Sequence, residues 1–277
     1  ALANANEGGS VNFGGAGSLR WVNVPGSSDF GFGTGDFTIE LFLFVQTHRN
    51  YTEIYDQRTA SQDAATATPI IYADASGGIH FFHSNQNKIS GSIAAGQWYH
   101  IAVSRSGTST KMFANGTQIG STYSDSTNYV TPASTWSIGA AAQQNQYEMD
   151  GFISNVRVVK GTAVYTSAFT PPTSPLSVVT NTKLLMNPGT SVSIFDAIGG
   201  HSFDLSSGIT SSTTKKKNAA SSLYADGSAP QHGGAVFEAN SDESDNVDLE
   251  DEPFTIECWF WNSAAPSGEK SWFQLGP

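Results

Sequence analysis

FTIELFLFV, residues 37–45, is apolar at every position but Thr38 and Glu40. An unbroken run of β-branched and aromatic side chains of this length reads as a central strand buried on both faces. The same words return near the end of the chain as FTIECWF, residues 254–260. Two further echoes flank them in the same order. SLYADG (222–227) answers SVNFGG (10–15), and WFQ (272–274) stands where IYD (54–56) stands in the first copy. The offset drifts only from 212 to 218 residues across the three matches, which makes this an internal repeat.

Outward from residues 37–45 the remaining strand signals fall into place. WYHIAVS (98–104) alternates bulky apolar with polar positions. KMFA (111–114) runs into Asn115-Gly116, the strongest short hairpin signal, and a strand resumes at Gln118-Ile119. Residues 136–139 and FISNVRVV (152–159) complete the apolar set. Regular alternation in the last segment predicts Phe152, Val156 and Val158 on one side, with Asn155, Arg157 and Val159 on the other. Strands spaced by roughly 8–12 residues, with almost no helical periodicity between them, predict an antiparallel sandwich or closed barrel.

The prolines of FTPPTSP (169–175) end the first copy, because they preclude regular ladder pairing. The expected organisation is a complete domain over 1–175, a linker over 176–181 and a truncated second copy over 182–277, opened by a strand at Leu184-Leu185-Met186. That copy stops before any counterpart of the Trp98 strand. Its missing strands are expected from sequence downstream, or else from another chain, since half a sandwich cannot close its core; residues 180–230 could also pair with the first domain.

Composition narrows the function classes. Charged residues make up 13% and aromatics 12%, a balance opposed to both disorder and a helical protein. The net charge of −11 argues against nucleic acid, which demands clustered Lys and Arg. Through residue 178 there are 8 basic and 11 acidic side chains; beyond it there are 5 and 13. Much of the later excess is EANSDESDNVDLEDE (238–252), a solvated loop or, on the sharper reading, a calcium loop. Cys258 stands alone, excludes an intrachain disulfide and reads as a small buried hydrophobe. No run of about 18 apolar residues exists to span a membrane, and residues 1–10 lack the basic and apolar regions of a signal peptide.

DFTIE (36–40), QWYHIAVSR (97–105), FANGT (113–117) and GFISNVR (151–157) resemble the successive signatures of concanavalin A-like, laminin-G-like jelly rolls. The resemblance covers residues 9–175 in order and resumes over 182–277. It implies an all-β antiparallel jelly-roll sandwich, one complete copy plus the first part of a second. KGTAVY (160–165) and FTPP (169–172) are similar to the version found in large repeat proteins of marine bacteriophages. That implies a non-enzymatic structural protein, a fibre, decoration or adhesin, at the virion surface or otherwise extracellular. The implied partners are other virion or surface proteins and cell-surface glycans, and the resemblance admits a homo-oligomer. The alternatives are a calcium-assisted lectin module and an accessory domain of a secreted polysaccharide-acting enzyme.

Some retaining glycosidases share this superfold and need two carboxyls about 5–5.5 Å apart. Glu148-Met149-Asp150 begins their Glu-x-Asp-x-x-Glu pattern, but Ile153 stands in place of the second glutamate. No Gly-x-Ser-x-Gly elbow occurs. His80 and His83, at i and i+3 of an expected strand, should face opposite sides and not share a metal. His100 reads as a core-edge histidine, and Trp21, Trp98 and Trp136 as core packing. Many relatives hold calcium at the sandwich rim, and the candidate ligands here are Asp36, Glu148 and Asp150.

Overall fold

The computed structural model describes residues 9–187, apart from 16, 18–19, 60–61 and 142–145, together with the strand pairing of 204–205 and 210–211. Strand β3 (Phe37–Val45) forms the spine of one sheet. It pairs along its length with β8 (Trp98–Ser106) on one side and β12 (Gly151–Lys160) on the other. Beyond β8 come β9 (Ser109–Ala114) and β10 (Thr117–Ser124). Beyond β12, β1 (Val11–Asn12) and β13 (Thr182–Met186) occupy successive stretches of its far edge, with β15 (Thr210–Ser211) outside β1. A second sheet of seven strands runs in the order β14 (Asp204–Leu205), β2 (Val22–Val24), β11 (Trp136–Ile138), β4 (Thr52–Asp56), β5 (Ile70–Ala73), β6 (Gly78–His83) and β7 (Gln86–Ser92). Every pairing is antiparallel. A 3₁₀ turn at Ser28–Phe30 is the only helix among the described residues. The fold is the all-β jelly-roll sandwich expected.

The nine residues of β3 are all buried, and the two faces are buried for different reasons. Phe37, Ile39, Leu41, Leu43 and Val45 point between the sheets, into a core shared with Phe81, Trp136 and Ile153. Each such side chain contributes roughly 1.5–3 kcal/mol on burial. Thr38, Glu40, Phe42 and Phe44 point away from that core, and the chain that follows β12 returns across part of this face. Tyr165 stacks on Phe169 at 3.7 Å, and Phe169 meets the His100 ring edge-on at 5.6 Å. Farther along, Phe42, Leu176 and Leu185 form a second apolar cluster against Trp98. The strap is pinned at the β9–β10 hairpin, where the Phe169 amide donates to the Gly116 carbonyl at 3.0 Å. Asn115 and Gly116 hold φ of +51° and +75°, the turn the Asn-Gly pair predicts. A Cβ on Gly116 would collide with the Phe169 carbonyl oxygen, so glycine is required there for close approach as well as for φ.

Three expectations change. First, β12 does not alternate regularly. Ser154 pairs with Phe42 but Arg157 pairs with Glu40, so one extra residue is inserted at a bulge where Asn155 holds φ +51°. Ile153, Val156 and Val158 therefore face the core, whereas Phe152 packs outward against Phe44. Second, residues 182–186 pair with β12 of the first sandwich, the alternative the sequence left open for 180–230 beside the start of a second copy. Third, the expected linker begins with Leu176, which is buried, and its amide donates to the bulge residue Asn155 at Oδ1. The FTIECWF copy, Cys258 and the acidic run 238–252 lie outside the described residues.

Candidate functional site

Strand β4 carries two carboxylates, Glu53 and Asp56, and a second bulge decides where they point. Glu53 pairs with Tyr72 and Tyr55 with Ile71, so Ile54 is the inserted residue. Ile54 and Tyr55 both enter the core, and Tyr55 lies 4.8 Å from the Trp136 ring. Parity resets across the bulge, placing Glu53 and Asp56 together on the outer face of the seven-stranded sheet. The registers extend the pattern into two cross-strand rows: Glu53, Tyr72 and His80, then Asp56, Ile70 and Phe82.

Arg58, just beyond β4, ties the acids together. Its Nε donates to Asp56 Oδ1 at 2.9 Å and its Nη2 to Asp56 Oδ2 at 2.7 Å, a bidentate pair. The same Nη2 reaches Glu53 Oε1 only at 3.4 Å. Glu53 Oε2 is buried and has no hydrogen-bond partner in the protein. Burial, and then the neighbouring Asp56 charge, push the Glu53 carboxyl well above the usual carboxylate range, against the opposing pull of Arg58.

Glu53 and Arg58 line a cavity of about 220 Å³, the scale of a single sugar ring, together with Tyr51, Tyr72, Phe82 and Tyr147. The Tyr51 ring lies 6.0 Å from Tyr72 and 5.5 Å from Tyr147. Tyr51 is 55% exposed, unusual for an aromatic side chain of a sandwich. Tyr51 and Tyr147 hold φ of +57° and +62°, a conformation bulky residues seldom adopt. Tyr72 is oriented by its hydroxyl, which donates to Asn87 Oδ1 at 2.8 Å. The wall is thus aromatic, and the floor holds an unsatisfied acid beside a neutralised arginine.

The carboxylates singled out for calcium do not converge on one ion. Asp36 precedes β3 and accepts from the Gly107 amide at 2.7 Å. Asp150 lies beyond the other end of β3, where its carbonyl accepts from the Gln46 amide, roughly 30 Å away at strand rise. Its carboxylate sits 3.3 Å from Arg49 Nη2 at the rim. Glu148 is buried two residues before Asp150. Among the described residues no group of three or more His, Cys, Asp or Glu is placed to hold a metal. His80 and His83 face opposite sides of β6: His80 lies 4.7 Å from the Tyr72 ring outside, His83 5.1 Å from Tyr129 inside. Trp136 is core, as expected, and Trp98 half-buried.

A family model, the concanavalin A-like lectin/glucanases superfamily, matches residues 15–171, more than half of the chain. The chain belongs to this superfamily. Solved members of the fold differ widely from it in sequence. A proposed carbohydrate binding protein from Bacteroides ovatus superposes with a TM-score of 0.51 at 16% identity, over 74% of this chain and 61% of that one, so the chain spans less than two thirds of its length. The heptameric SAP-like pentraxin of Limulus polyphemus gives a TM-score of 0.45 at 16% identity, over 74% of this chain and 94% of that one. The carbohydrate-binding module CBM40 of the Ruminococcus gnavus IT-sialidase, bound to α2,3-sialyllactose, gives 0.42 at 12% identity, over 58% and 89%. No curated protein sequence matches the chain. Among the described residues, no helix of this superfamily member is long and apolar enough to cross a membrane.

The Glu53 site escaped the sequence reading, although a signal was present. Glu53, Asp56 and Arg58 are three charges within six residues of a strand-like segment, in a chain with few charges. Such a cluster on a buried strand needs partners or a ligand.

Proposed function

We propose that this chain is a non-enzymatic glycan-binding module of a surface-exposed repeat protein, and that it binds a sugar in the tyrosine-walled cavity over Glu53. One observation carries the reading: Glu53 lines an aromatic cavity, and its Oε2 is buried and unpartnered. Buried polar atoms are almost always satisfied, so an orphaned acceptor in a cavity of this size calls for a ligand hydroxyl or amine. Aromatic faces supply the complementary contact to the apolar face of a sugar ring. Membership in a lectin and glucanase superfamily, and the carbohydrate binding proposed for the Bacteroides ovatus protein, support the same choice.

Binding is favoured over hydrolysis because the two acids of the site share one arginine. Asp56 is locked in the bidentate pair, which leaves Glu53 without a second free carboxyl for acid–base work. A phage virion or cell surface is the proposed setting, where repeated modules gain avidity from effective concentration.

A glycan array and titration calorimetry test the reading. The wild-type protein is expected to retain a subset of glycans with or without chelator, and Tyr51→Ala to weaken that binding about tenfold or more. Binding abolished by chelator would transfer the site to a calcium lectin. No binding to any glycan would leave a spacer or decoration role.

A further inference from the structure

We infer that the cavity selects an amine-bearing sugar, with the ligand ammonium on Glu53 Oε2 and against the tyrosine rings, and that it turns away carboxylated sugars. This rests on the reading that the cavity binds a sugar at all, and it adds the charge of that sugar. Arg58 is the only cation among the described residues lining the cavity, and Asp56 already engages its Nε and Nη2. Arg58 and Asp56 offset one another, and Glu53 adds either a proton or one further negative charge. A ligand carboxylate therefore finds no unmatched cation to receive it. Against an ionised Glu53 it also meets a like charge in a partly buried site, which is strongly disfavoured.

An ammonium meets the opposite situation. The Glu53 side chain is only 7% exposed and its Oε2 has no donor, so an ionised Glu53 is a buried charge met only by the long contact to the shared Arg58. A ligand N–H⁺ would supply both the missing hydrogen bond and the missing charge. Around it stand Tyr51, Tyr72 and Tyr147, with Tyr51 ring centroids 5.5–6.0 Å from the other two. Aromatic faces gathered about an acid are the arrangement that recognises organic cations through the ring quadrupole. A neutral sugar can use the rings and one hydrogen bond, but it offers no charge to stabilise the ionised Glu53 carboxylate.

The test compares glucosamine, glucose and glucuronate as free ligands of the whole chain, by competition calorimetry near neutral pH. The expected order is glucosamine tightest by about tenfold over glucose, with glucuronate weakest. In Glu53→Gln the amine's advantage over glucose should shrink to within about twofold, because the amide keeps the shape and loses the charge. Circular dichroism on the same variant checks that it folds. Glucosamine no tighter than glucose, glucuronate tightest, or an advantage that survives Glu53→Gln each overturns the inference while leaving sugar binding in place. Failure of the wild type to bind any of the three or any arrayed glycan removes the binding reading itself, and the inference with it.

Discussion

The outer faces of the two sheets each bury a glutamate beside an arginine, and they treat it in opposite ways. On the eight-stranded sheet, Glu40 is saturated. Arg157 donates Nε and Nη2 to its Oε1 at 2.8 and 2.6 Å, Tyr165 donates to its Oε2 at 2.8 Å, and His100 Nε2 lies 3.0 Å from the same oxygen. Burial alone would raise this carboxyl, but the His100 hydrogen bond and the Arg157 charge outweigh it and leave it below its usual range. The strap covers the cluster, and Arg157 also donates to the Ser177 carbonyl within it. On the seven-stranded sheet, Glu53 has one long contact and a bare oxygen, and its carboxyl is raised. A closed, satisfied acid organises structure. An open, unsatisfied one marks a place for something else.

Removing the arginine should have its largest effect on the closed face. Arg157→Ala strands a fully buried Glu40 carboxylate, and urea denaturation should register a loss of about 3–5 kcal/mol. A loss under about 1 kcal/mol would mean the network is not a structural unit.

Glu53→Gln should move stability the other way by a smaller amount. Because the folded-state carboxyl is raised, the folded protein holds more protons than the unfolded chain, so wild-type stability falls as pH climbs from the ordinary carboxylate range through the raised value. The variant removes that fall. It should equal wild type near pH ~4 and gain on the order of 1 kcal/mol near neutrality. A variant less stable than wild type at neutral pH would show that Glu53 is satisfied after all. Glu40 carries the opposite sign, with its stabilisation present above the usual carboxylate range and lost as pH falls through its lowered value.

The smallest effect belongs to the rim, where neither face is involved. The Arg49–Asp150 pair joins a side chain that is 45% exposed to one that is 15% exposed. Asp150→Ala should cost under about 1 kcal/mol. Added calcium should leave the melting temperature of both proteins unchanged; a calcium-dependent rise in wild type alone would restore Asp150 as a ligand.

Much of the fold was legible because strand periodicity and turn chemistry are local. The β3 run, the alternation of β8 and the Asn-Gly turn each declare themselves within ten residues. The bulges did not. Asn155 and Ile54 look like ordinary members of their strands, and only the register against β3 and β5 reveals the inserted residue. Each insertion sends two apolar side chains into the core and turns the next charged residue outward, Arg157 in one sheet and Asp56 in the other. That Asp36 and Asp150 lie at opposite ends of β3 is likewise settled by the strand pairing and not by the residues themselves.

The residues by themselves determined that this chain forms an antiparallel sandwich: apolar alternation and glycine turns leave no other way to bury so much aromatic surface with so few charges. Tertiary structure alone decided which acid is spent and which is free. Glu40 and Glu53 are equally ordinary in the sequence, and whether a carboxylate finds donors depends on partners up to 125 positions away that pairing and bulges bring to it or withhold.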